Sequence, residues 1–305
     1  MKKILFIGLL LILIGIGLYY KEDIVKISYN FIRGANKKIT LENKNEYYRD
    51  YDFEFVQNTD NFIPTNKQEL YNVFYTVINS GNDEFTFYCS YDYKECINDV
   101  QELAKDQTIL SDINNYVHPF NSFKHIYTKY DAMGKVTLTL EKMYTDEEIS
   151  LISQKVDSLS NSLIIENDSD YNNILRVHDY IINNAKYDLK RSDYNDTTYK
   201  SNIAYGPLFE GYAICGGYTD LMELYLEKMN IKSYKVSSFK HVWNAVYYNN
   251  SWLNLDLTWD DPVVNDGKYN YLEHNFFLIT TSKLHEIEKT EHEFDYNSYP
   301  ELKEA

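Results

Sequence analysis

Hydrophobic and polar positions follow two different periods along the chain, and the period changes from element to element. Lys67–Ile78 carries Leu70, Val73, Phe74 and Val77 at helical spacing. Glu84–Cys89 is aromatic and reads as a strand, and Cys96–Leu103 returns to the helical period. Val136, Leu138 and Leu140 alternate with Thr137 and Thr139, which predicts a strand with one buried face. With Phe123–Tyr130 and a turn at Ala132–Met133–Gly134 it makes a β-hairpin. Thr145 and Glu148 are spaced as a capping box, opening a helix with Ile149, Ile152, Val156 and Leu159 on one face. A charged break, Glu166–Asp170, separates it from a second amphipathic helix that starts at Tyr171. His178 falls on the apolar stripe of that helix and is read as structural.

The pattern downstream is denser. Four of the 11 glycines lie between Gly206 and Gly217, and a mostly apolar helix then runs to about Met229. Two strands follow, His241–Tyr248 and Ser251–Thr258, joined by the Asn249-Asn250 pair. A two-residue loop sets Tyr248 opposite Ser251, Trp243 opposite Asp256 and His241 opposite Thr258. His241 and Asp256 then share one face as diagonal neighbours, and a one-residue slip would part them. Leu253, Leu255 and Leu257 occupy the other face as core. Tyr269–Ile279 reads as a closing strand, with His274 structural. The resulting division is an N-terminal apolar segment over 1–23, read as a membrane anchor, a polar stalk over 24–63, a small α/β module over 64–163 and a C-terminal domain over 168–305.

Charge and composition narrow the partners. The formal net charge of −16 over 305 residues excludes nucleic acid, which needs a basic surface. Lys2 and Lys3 precede an uncharged run from Ile4 to Tyr20, which at 1.5 Å per residue reaches roughly 26 Å, the short end of a membrane span. The expectation is an N-terminal transmembrane helix with its N-terminus inside and the body extracytoplasmic, a cleaved signal and a secreted body being the alternative. Of three cysteines, Cys89 and Cys96 either pair or remain two buried thiols, while Cys215 is left over as a candidate reactive group.

Cys215 stands where a helix begins, and there the free amides and the helix dipole favour a thiolate. The N–H groups of Cys215 and Gly216 point to an oxyanion site. Asp256 among leucines needs a partner, since a buried unpaired carboxylate is costly, and His241 on the neighbouring strand supplies one. The three residues divide the labour of acyl transfer: Cys215 as nucleophile, His241 as base and then acid, Asp256 orienting the ring. Elsewhere, Asp260, Asp261 and Asp266 read as a capped turn. His285, Glu286, His292 and Glu293 read as a solvated helix surface. No metal and no cofactor is expected.

Cys215-Gly216-Gly217-Tyr218, His241-Val242-Trp243-Asn244 and Asp256-Leu257-Thr258-Trp259-Asp260-Asp261-Pro262, in that order, resemble the transglutaminase-like superfamily in its bacterial, membrane-anchored branch. The upstream helix Ile174–Tyr187 and Ala204–Leu208 fit as well, so the resemblance spans roughly 170–285. It implies an α+β, papain-like fold, with a Cys-bearing helix packed on an antiparallel sheet that carries the His and Asp, and the same three roles for Cys215, His241 and Asp256. Gly216 stands where many relatives have Gln, and no Trp precedes Cys215 to serve as an oxyanion donor; Tyr205 is the substitute candidate. The implied substrate is a protein or peptide amide at the cell surface, with transfer to an amine or to water. The alternative is a non-catalytic surface module that keeps the fold for binding.

Overall fold

The computed structural model describes residues 14–32, 39–263 and 271–303. Most of the expected span Ile4–Tyr20 lies outside these residues; among those described, no helix is long and apolar enough to cross a membrane. Helix α1 (Lys21–Ile32) is followed by α2 (Lys67–Asn79), β1 (Glu84–Tyr88), α3 (Cys96–Leu103), α4 (Gln107–Asn115), β2 (Phe123–Tyr130), β3 (Lys135–Lys142) and α5 (Asp146–Leu163). The expected hairpin forms, and β1 adds to it in the antiparallel order β1-β3-β2. Gly134 closes the hairpin turn at φ +76°, a conformation that L side chains rarely adopt. The Thr145–Glu148 capping box is present. Cys89 and Cys96 are bonded across a Cα–Cα distance of 5.8 Å, which decides the question that spacing alone left open.

The second half contains α6 (Asp170–Asn184), β4 (Lys186–Tyr187), α7 (Leu189–Tyr194), β5 (Tyr212–Ala213) and α8 (Cys215–Lys228). It continues with β6 (Ser233–Ser237), β7 (Val242–Tyr248), β8 (Ser251–Leu255), α9 (Leu257–Asp260) and α10 (Thr281–Ile287). Strands β6-β7-β8 form an antiparallel sheet, and α8 packs on it through Asn244 Nδ2, which donates to Thr219 O at 3.1 Å. One face of that sheet, with Tyr234, Val236, Trp243 and Ala245, enters the core built by α2–α4 and the first sheet. Val246 and Leu255 face the other way, into a core shared with α5, α6 and α8. The small α/β module and the Cys-bearing part are therefore joined through a common sheet.

Two segments differ from the sequence reading. The polar stretch expected to be a stalk is packed from its middle onward: Phe53, Phe55, Val56 and Phe62 are buried in the first core. Its average polarity hid four apolar anchors, and burial is decided by where those anchors sit. The expected closing strand over 269–279 reduces, among its described residues, to a single bridge between Ile279 and Asn254. Leu278 sits at φ +49°, which turns the chain out of the extended conformation a ladder needs. Helix α4 and strand β6 were not anticipated; α4 is opened by Asp106, whose side chain accepts from Thr108 N and Ile109 N.

The β7–β8 register is as expected, with Tyr248 opposite Ser251 and Asn244 opposite Leu255. Asn249 and Asn250 lie at φ 50° and 61°, the left-handed pair a tight hairpin requires. Asn tolerates this region better than branched residues do. Asn250→Val should therefore cost about 1–2 kcal/mol and lower the thermal midpoint by a few degrees. Asn250→Gly should retain it; equal melting of the two variants would show that the turn does not hold this hairpin.

Candidate active site

Cys215 is the first residue of α8 and is half-buried with a free thiol. The helix begins abruptly because the chain before it is pinned: Ile214 N–H donates to Ser201 O at 2.8 Å. The same strip of backbone explains the two glycines. A Cβ on Gly216 would come within 2.8 Å of Asn202 O, and one on Gly217 within 2.3 Å of Ser201 O. Gly217 N–H and Tyr218 N–H are the first amides bonded, both to Ile214 O. The Cys215 and Gly216 amides precede them, at the end of the helix where an anion is stabilised.

His241 lies just before β7. Its Nε2 faces Asp256 Oδ2 at 2.5 Å, and both side chains are buried. With Nε2 committed to the carboxylate, Nδ1 is the nitrogen left for Cys215, and Thr219 ties the two segments together, its Oγ1 reaching Cys215 O at 2.7 Å and Val242 O, next to His241, at 3.1 Å. Burial works against a charged imidazole here, but the Asp256 charge and hydrogen bond, with Cys215, outweigh it and raise His241 from 6.5 to about 10. For Asp256, burial likewise opposes the charge, and the His241 charge and hydrogen bond with a second contact from His292 hold the carboxyl well below its usual range.

The path by which Asp256 reaches His241 differs from the expectation. Strand β8 stops at Leu255, so Asp256 is no longer a strand residue. Its Oδ1 accepts from Thr258 N at 2.9 Å and Trp259 N at 3.3 Å, which makes it the N-cap of α9. A carboxylate competes well for free backbone amides, and Asp256 finds two of them where the next helix begins. The cap fixes one oxygen and leaves the other for the imidazole.

His292 was missed. Expected on a solvated helix surface, it lies beyond α10 and is completely buried. Its Nε2 faces Asp256 Oδ2 at 2.9 Å, and its Nδ1 faces Glu288 Oε2 at 2.9 Å. The ring stacks on Phe276 and meets Trp243 edge-on. A helix-surface reading fails because α10 ends at Ile287 and Glu288 then folds the chain inward, accepting from Thr290 N and Glu291 N. His285 and Glu286 do lie on α10.

The other candidates are placed as follows. His178 is buried between Asp179 Oδ1 at 2.9 Å and Asp260 Oδ2 at 3.2 Å, and His274 Nε2 reaches Asp179 at 2.8 Å. Asp260 also accepts from Phe276 N, and Asp261 accepts from the Tyr218 hydroxyl. Burial pushes Asp261 up to about 6, the Tyr218 hydrogen bond opposing it. Asp266 lies outside the described residues. Two groups among the described residues hold ligating atoms within 4.8 Å of one another, His178–Asp179–His274 and His241–Asp256–His292. In both, those atoms already pair with each other. Tyr205 packs on Phe209 with Lys200 over its ring. A cleft of about 300 Å³ is lined by Tyr187, Thr258, Trp259, Pro262 and Glu291 among others.

Comparison with known proteins adds a family. The model of the transglutaminase-like superfamily matches residues 157–257. No curated protein matches the chain. Among solved structures, a TGase shares 16% identity at a TM-score of 0.35 over 49% of this chain, which spans about half (48%) of that one. A candidate cysteine protease from Cytophaga hutchinsonii shares 15% identity at a TM-score of 0.29 over 44% of this chain and 61% of its own.

Proposed function

Residues 157–257 are a core of the transglutaminase-like superfamily, and from that premise we propose that the protein is a cysteine acyltransferase acting on protein or peptide amides. The observation that carries the reading is the His241 ring held on the capped, buried Asp256 carboxylate, with the helix start at Cys215 tied to the strand beside His241 through Thr219. In the proposed reaction His241 Nδ1 already holds the proton taken from the Cys215 thiol, and Cys215 Sγ attacks the amide carbonyl from that ion pair. The oxyanion meets the Cys215 and Gly216 amides at the mouth of α8. His241 then returns the proton to the departing amine or ammonia, leaving a thioester. An amine, or water activated by the same ring, attacks the thioester and regenerates the thiol. The Cys89–Cys96 bridge supports an oxidising, extracytoplasmic setting. That agrees with display from a single N-terminal span and with substrates at the cell surface.

The test is incubation of the protein with a glutamine peptide and a labelled amine, followed by weighing the peptide. Gain of the amine with loss of ammonia identifies a transferase. Conversion of the glutamine to glutamate, or peptide cleavage, identifies a hydrolase. An unchanged peptide together with a Cys215 that alkylates no faster than an ordinary thiol would replace the enzyme reading by that of a binding module.

A further inference from the structure

We propose that His292 is a positioning residue for the acyl-transfer reaction, holding Asp256 in the orientation that His241 needs. The inference rests on the reading that Cys215, His241 and Asp256 are the reacting set. Asp256 has four donors around its two oxygens. Thr258 N and Trp259 N bind Oδ1, while His241 and His292 both bind Oδ2. An ionised carboxylate only accepts, so the His292 Nε2 that faces it carries a proton and donates. Without that donor, Oδ2 would have His241 as its single partner and the plane of the carboxylate would be fixed from one side only.

His292 is itself held on every side. Glu288 Oε2 meets its Nδ1, Phe276 stacks on the ring, and Trp243 and Trp259 close around it. Glu288 is anchored in turn by two backbone amides of the turn that delivers His292. Burial disfavours its charge, but the Glu291 amide, His292 and the Thr290 amide keep its carboxyl below the ordinary value. A chain of contacts thus runs from His241 through Asp256 and His292 to Glu288. The last two members come from a segment that follows the matched core by more than thirty residues.

Two substitutions separate positioning from packing. His292→Gln keeps an N–H at the same bond count from Cα and gives up the ring. His292→Phe keeps the ring and gives up the N–H. The readout is the rate of Cys215 alkylation by iodoacetamide at pH 6.5 with a chelator present, which needs no knowledge of the substrate; thermal melts establish that each variant is folded. Positioning predicts that His292→Phe slows alkylation about 10- to 100-fold, the range expected for loss of a charge-assisted hydrogen bond, while His292→Gln stays within a few-fold of the parent. The reverse order, or equal rates in parent and His292→Phe, overturns the proposal. A slow parent whose rate His241→Ala does not change would instead overturn the reading on which it rests.

Discussion

His241→Ala should slow alkylation of Cys215 at neutral pH and reduce acyl transfer by roughly 10²–10⁴-fold, the range general acid–base groups contribute. Cys215→Ala should take up no label at all. The expectation follows from the charge arrangement. A raised His241 is an imidazolium at neutral pH, placed to deliver its proton to the leaving amine. The signs give a pH window as well. His241 is raised above 6.5, so the stability it contributes is complete below 6.5 and is lost as pH climbs through about 10. Asp256 is depressed below 3.8, so its contribution is complete above 3.8 and is lost on strong acidification. The pair is therefore at full strength between those two ordinary values and weakens progressively toward pH 10. Thermal midpoints across pH should show His241→Ala losing stability relative to the parent chiefly inside that window. A difference that grows above pH 10 would contradict the ion-pair account, and undiminished alkylation in the variant would remove His241 from the mechanism.

Arg49→Met should lower the thermal midpoint by about 10 °C, the consequence of some 3–5 kcal/mol lost when a buried ion pair is broken on one side. Arg49 comes from the segment expected to be a stalk, yet its guanidinium pairs with Glu223 on α8, with side-chain exposures of 8% and 0%. It also donates to Tyr116 O at 2.9 Å, tying the N-terminal segment and the end of α4 to the helix that carries Cys215. Among the described residues the second Glu223 oxygen has no hydrogen-bond partner, so the carboxylate depends on this one cation. Removing Arg49 leaves it buried and unpaired, whereas Arg49→Met with Glu223→Leu removes both charges and should recover most of the loss. If the double variant melts as low as the single one, the stabilisation comes from the Arg49 stem and its backbone contact rather than from the ion pair.

The sequence by itself determined what local physics controls. Periodicity placed α2, α3, the β2–β3 hairpin, α5 and α6, and the Thr145–Glu148 box fixed where α5 starts. A two-residue Asn turn fixed the β7–β8 register, because side chains alternate with period two and only an even loop keeps the expected faces together. Cys215 at the start of α8 was legible from the glycines before and after it. The tertiary structure decided matters that depend on distant chain. Asp256 leaves the strand because two amides beyond it are free to be capped. Arg49 finds Glu223 across 174 positions of sequence, and Cys89 bonds Cys96 because the fold brings their Cα atoms within reach. His292 looked solvated because its neighbours Lys289, Glu291 and Glu293 are charged. Burial, however, belongs to a side chain's direction and not to the average of its segment, and the turn at Glu288 sends this one ring inward onto Asp256.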